Sequence, residues 1–175
     1  MGAPATPPKF DKNKDLIKGE LTMVFLNDSV FAYAKKDDFK FTPSQIDVAS
    51  KLSGNFNDKM GGKIDWSLSV EAFVSKTKGH MSYDQLEHIA ASGKAVTFEL
   101  ARVTVSESTN GERSITKGEV LRKGRVTVGD LSRSSQNGEY ETFNCTLNGS
   151  GPLLTSSGKE VGSSEALTEV GITIV

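Results

Sequence analysis

Residues 64–75 alternate between apolar and polar side chains, and no other stretch of the 175-residue chain constrains its fold as tightly. Ile64, Trp66, Leu68, Val70, Ala72 and Val74 occupy one phase. Asp65, Ser67, Ser69, Glu71 and Ser75 occupy the other, with Phe73 as the exception. Successive side chains of a strand point to opposite faces. A period of two over this length therefore predicts a strand with one face on a core and the other on water or a polar lumen.

The flanking segments predict more strands. Residues 20–26 are apolar on both phases: Leu21, Met23 and Phe25 on one, Val24 and Leu26 on the other. Asn27-Asp28 is a turn signal, and residues 30–34 return as a second apolar run, which predicts a hairpin covered on both sides. Residues 39–48 read as a further strand, with Pro43 marking an edge or bulge. In residues 95–105, Val96, Phe98 and Leu100 lie on one phase and Ala101, Val103 and Val105 on the other, so a bulge is expected near Leu100 and Ala101. Strands are also expected over about 118–133 and over 140–147, the latter with Phe143, Cys145 and Leu147 inward, and a turn at Gln136-Asn137-Gly138. Residues 149–164 read as a Gly/Ser-rich connector, and 172–175 as a short terminal strand.

One helix is expected, over 82–92. Ser82 is a good N-cap and Gln85 stands three residues on, in capping-box spacing. Leu86, Ile89 and Ala90 form a narrow apolar stripe, and Gly93 can end the helix in the left-handed conformation. About ten residues are marginal as an isolated helix, so this one must lie on the sheet.

Two segments cannot satisfy themselves. Residues 1–17 are rich in Pro, Lys and Asp and predict an N-terminal arm, disordered alone or laid against a neighbour; a single domain is expected over 18–175. Residues 49–63 read as a long loop that nevertheless carries Leu52, Phe56 and Met60. Apolar residues on such a loop need a partner surface. Together with Phe10 and Leu16 of the arm, they are the expected inter-subunit contacts.

A search for chemistry finds none. His80 and His88 lack companions at metal-ligand spacing. The lone Cys145 falls on an inward phase, where a thiol acts as a small hydrophobe, and it cannot form an intramolecular disulfide. Gly61-Gly62-Lys63 fails the phosphate-loop frame, since Gly54 is too far and Ile64 replaces the hydroxyl. Asp65 and Glu71 would stand about 20 Å apart on an extended strand, too far for paired-carboxylate hydrolysis. The net charge is −1 and basic residues do not cluster; Lys35-Lys36 is offset by Asp37-Asp38. Tight electrostatic binding of nucleic acid needs several phosphate contacts at once. No apolar run approaches the roughly 20 residues of a membrane span. The expectation is therefore a structural building block and not an enzyme, with no cofactor, no metal and no membrane insertion.

The order of features carries a resemblance. Met60-Gly61-Gly62-Lys63-Ile64-Asp65-Trp66-Ser67-Leu68 follows the long loop. Ser82-Tyr83-Asp84-Gln85-Leu86 opens the helix, and a late strand ends in Asn148-Gly149-Ser150-Gly151-Pro152-Leu153. Over residues 18–153 this resembles the major tail tube protein family of long-tailed bacteriophages, which carry a Gly-x-x-x-Trp-Ser strand, one mid-chain helix and a Gly-x-Gly-x-Leu ending.

The resemblance implies a mainly β subunit, a β-sandwich or half-barrel with one short helix on the sheet, assembling into hexameric rings stacked as a tube. Its partners would be copies of itself, other tail proteins at the tube ends, and DNA passing through the lumen without sequence-specific binding. Its place would be the tail of a virion assembled in the host bacterial cytoplasm. The polar phase Asp65, Ser67, Ser69 and Glu71 would face the lumen or the outer solvent. Two rivals are the tube of a contractile injection or secretion system and a monomeric β-sandwich binding module. The second usually exposes aromatics on a binding face, whereas the only Trp here lies on an apolar phase.

Overall fold

The computed structural model describes residues 18–50 and 57–172. Its strands are β1 (Thr22–Leu26), β2 (Ser29–Val30), β3 (Ala34–Asp47), β4 (Lys59–Phe73), β5 (Val96–Glu107), β6 (Arg113–Ser134), β7 (Thr142–Gly149) and β8 (Leu154–Thr155). Helix α1 (Tyr83–Ser92) separates β4 from β5, α2 (Ser164–Glu169) follows β8, and a 3-10 turn (Gly19–Leu21) precedes β1. All strands join one antiparallel sheet in the order β2-β1-β5-β6-β7-β4-β3, with β8 pairing β6. The chain is thus mainly β, as expected, in the form of one open sheet not closed into a barrel.

Local chemistry sets these elements. Asn27 and Asp28 both have positive φ (45° and 63°), as a two-residue hairpin turn of the primed type requires, and join β1 to β2. Pro43 sits on edge strand β3 beside a register shift, where a missing N–H is tolerated. The β5–β6 register does shift between Leu100 and Ala101, but the extra residue is Leu121 of β6: β5 runs on against β1 without a shift, and its second apolar phase, Ala101 and Val103, faces the smaller core. Helix α1 begins at Ser82, whose N–H donates to Gln85 Oε1 at 3.1 Å, and ends at Gly93 in the left-handed conformation.

Most of the core lies on one face of the sheet. Trp66, Leu68, Val70 and Ala72 of β4 meet Phe98 of β5, Val126 of β6 and Phe143, Cys145 and Leu147 of β7, under Met81 and Leu86 at the start of α1. Helix α1 is therefore a lid on the sheet. The Trp66 indole packs 5.5 Å from the Phe98 ring and donates from Nε1 to the Gly151 carbonyl at 3.1 Å. A Cβ at Gly124 would stand 2.8 Å from the indole, and one at Gly149 would also collide with it. These glycines make room for the only Trp. A smaller core occupies the opposite face, where Phe25 and Val30 pack with Ala101 and Val103. Val24 and Leu26 face the main core, so β1 is covered on both sides as its double apolar phase requires.

Three expectations are corrected. Residues 59–63 are not loop: Gln45 pairs with Gly61, Ile46 with Met60 and Asp47 with Lys59, which extends the β3–β4 hairpin and shortens the connection. The two glycines that read as chain punctuation lie within β4, and at Gly62 a side chain would clash with Ser44. The connector after β7 contains β8 and leads to a second helix, α2, capped by Ser163 Oγ, which accepts from the Ala166 N–H at 3.2 Å. Ile172 extends no strand, and residues 173–175 lie outside the described residues.

Candidate assembly surfaces

The odd-numbered phase of β4 forms a polar wall on the face opposite the main core. Asp65 and Ser69 are exposed and Ser67 and Glu71 half-buried. Directly opposed residues of antiparallel strands project to the same side. Register therefore adds Thr42, Lys40 and Asp38 from β3 and Asn148, Thr146 and Asn144 from β7. Two ion pairs stand at one end of this wall: Lys36 with Asp38 and Lys35 with Glu71. Such exposed pairs contribute little stability. Phe73 ends the wall in an aromatic patch, with Tyr140 edge-on at 6.1 Å and the Lys35 ammonium 5.5 Å from its ring centre. The alternation in residues 64–75 located the wall, and only the register revealed the β3 and β7 partners.

The second surface is the far end of the β3–β4 hairpin. Met60 is 61% exposed and its partner Ile46 53% exposed, with Val48 and Ile64 also open. Leu52 and Phe56, like Phe10 and Leu16 of the arm, lie outside the described residues. Of the five expected contact residues only Met60 is described. Ile46 and Val48 join it, although as part of an ordinary strand they gave no signal.

The third surface is the outer margin of β5. β1 pairs with β5 only from Leu26↔Phe98 to Thr22↔Arg102, while β6 accompanies β5 as far as Glu107. Above this margin lies a groove of about 940 Å³ between Met23, Phe25, Val30, Val105 and Ile115.

The chemistry of the described residues is sparse. They contain no group of three or more metal-ligating side chains and no helix long and apolar enough to cross a membrane. Cys145 is buried, and burial pushes its thiol up to about 12. A thiol so protonated is a poor nucleophile. His80 packs against Tyr33, with ring centres 5.6 Å apart and planes tilted by 60°, and its backbone bridges to Val30 of β2.

The open antiparallel sheet has counterparts among solved structures. Among solved structures, a chain of the native gene transfer agent virion superposes with a TM-score of 0.61 at 13% identity, covering 79% of this chain and 97% of that one. A chain of the SPP1 tail tube gives 0.55 at 14% identity, with 91% and 87% covered. A chain of the extended sheath–tube complex of an extracellular contractile injection system, PVC, gives 0.53 at 13% identity, with 81% and 93% covered. No family model matches the sequence. No curated protein matches it either.

Proposed function

We propose that the chain is the structural subunit of a phage-type tail tube, assembling into stacked rings around a channel that conducts DNA. The observation that carries this reading is the open sheet, shared across most of the chain with tail-tube subunits. An open sheet leaves unpaired strand margins that invite pairing with other chains. Joining copies side by side converts that hazard into a continuous wall. Six copies per ring are proposed, by analogy with a gene transfer agent tail of C6 symmetry (TM-score 0.61).

In this reading the face bearing Asp65, Ser67, Ser69 and Glu71 lines the channel, and the face covered by α1 points outward. Two features support that orientation. The wall carries hydroxyl and amide side chains in its middle, and among the described residues helix α1 covers the other face. A wall without clustered cations would let DNA slide without gripping it. The β3–β4 hairpin with Met60 and residues 49–58, and the arm 1–17 with Phe10 and Leu16, would bridge neighbouring copies. The assembled product would belong to a virion tail built in the host bacterial cytoplasm, capped at its ends by other tail proteins. Sedimentation at rising protein concentration tests assembly: species far larger than a monomer are expected, and a single monomeric boundary at every concentration contradicts it.

The likeness to the PVC tube favours one alternative, a tube enclosed by a contractile sheath. Stable co-assembly with a sheath protein would mark that case, and bare tubes the first.

A further inference from the structure

The groove beside β5 is built to receive a strand. Residues Val103–Glu107 have no ladder partner on the β1 side among the described residues, because the 3-10 turn Gly19–Leu21 breaks β1 away at Thr22. Val105 lies opposite Ile115 on β6, and both line the groove. Leu21 and Val105 remain 39% and 40% exposed within one chain. The groove also includes His80, whose Nδ1 is buried without a hydrogen-bond partner. Its mouth carries Lys117, which bridges Asp28 and Glu99 and lies 4.9 Å over the Phe25 ring. An open strand margin beside an apolar trough is the geometry of strand addition: backbone bonds hold the incoming segment, and alternate side chains fill the trough.

We propose that residues 172–175 of a second copy occupy this groove as an added strand, with Ile172 and Ile174 in the trough. Ile172-Thr173-Ile174-Val175 has the composition of a strand, and its two isoleucines share one phase. Its length suits the five unpaired positions of β5. Within its own chain the approach to this segment is uncovered: Val170 is 70% and Ile172 52% exposed, and Ile172 is not among the groove's walls. This inference rests on the assembly reading and adds a specific joint to it.

Two singly substituted full-length chains, Ile174→Cys and Val105→Cys, test the joint when mixed, assembled and oxidised. Cys145 is buried and stays silent. The expected product is a disulfide-linked two-chain species formed only from the mixture. Assembled material without that link overturns the joint and leaves the tube reading intact. An internal link in a chain carrying both substitutions, with none between chains, would show that the segment covers its own groove and also overturns it. A wild-type protein that never assembles overturns both readings. In parallel, Ile174→Glu is expected to raise the concentration needed for assembly at least tenfold while the monomer melts at the wild-type temperature. An unchanged assembly concentration would contradict the joint.

Discussion

The two halves of β4 share one backbone and pair with the same neighbour, yet they live in different surroundings. From Trp66 to Ala72, alternate side chains are buried under α1 and against β7. From Lys59 to Asp65, none is buried, although Lys59, Met60, Gly61, Ile64 and Asp65 pair with β3. The two halves thus differ twice over: the first pairs with both β3 and β7 and buries its side chains, and the second pairs with β3 alone and buries none. Burying an aliphatic side chain contributes about 1.5–3 kcal/mol, while a typical net hydrogen bond contributes about 1 kcal/mol. The Trp66 half belongs to a body that holds itself together. The Met60 half is an extension whose apolar side chains stay exposed in the single chain.

The largest expected effect breaks the body. Leu68→Ala empties a fully buried position in the main core. A loss of about 2–5 kcal/mol is expected by chemical denaturation. A loss under about 1 kcal/mol would mean the site can collapse around the gap, and the core would be looser than its packing implies. Gly149→Ala should also destabilise, because its methyl collides with the Trp66 indole; a shift of indole fluorescence checks the cause.

The extension should behave in the opposite way. Met60→Lys together with Ile46→Lys is expected to change stability by less than about 0.5 kcal/mol, as exposed substitutions do, and to suppress assembly. Replacing residues 51–58 by an Asn-Gly turn should likewise leave a folded monomer that no longer polymerises. Wild-type assembly from either variant would remove the hairpin end from the interface.

Smaller effects probe the rim of the body. The buried Cys145 thiol, held up at about 12, should resist alkylation at pH 8 in the native protein and react fully once unfolded. Arg133 bonds Glu141 at the β6–β7 end and holds its carboxyl below the ordinary value of 4.5. A carboxylate depressed in the folded state adds stability above its unfolded value, and that stability is lost as pH falls through the lower folded value. Glu141→Gln should therefore lower the melting temperature slightly at pH 7 and not at all near pH 2. An equal difference at both values would assign the effect to something other than charge.

The contrast also explains what the sequence disclosed. Where one residue's chemistry decides a local event, it was readable: the Asn27-Asp28 turn, the Ser82 cap, the inward Cys145. Where the outcome depends on a distant partner, it was not. Gly62 resembles loop punctuation until Ser44 is placed opposite, where a side chain has no room. Helix α2 was hidden because Ser163 is one serine among many in a Gly/Ser-rich stretch. The polar wall could be traced along β4 but not across it, since Lys40 and Thr146 join it only through register. Among the described residues, the margin of β5 loses its partner at a 3-10 turn in another element, so no local pattern announces it.

The central claim is that a self-sufficient body with unsatisfied margins completes itself by ring formation. Electron microscopy of the purified full-length protein, with end-on views averaged without imposed symmetry, tests it most directly. The expected result is a sixfold ring around an open channel, stacking into tubes, with the β4 face that carries Asp65, Ser67, Ser69 and Glu71 toward the axis. Monodisperse single subunits at the highest attainable concentration, with neither rings nor tubes, would contradict it.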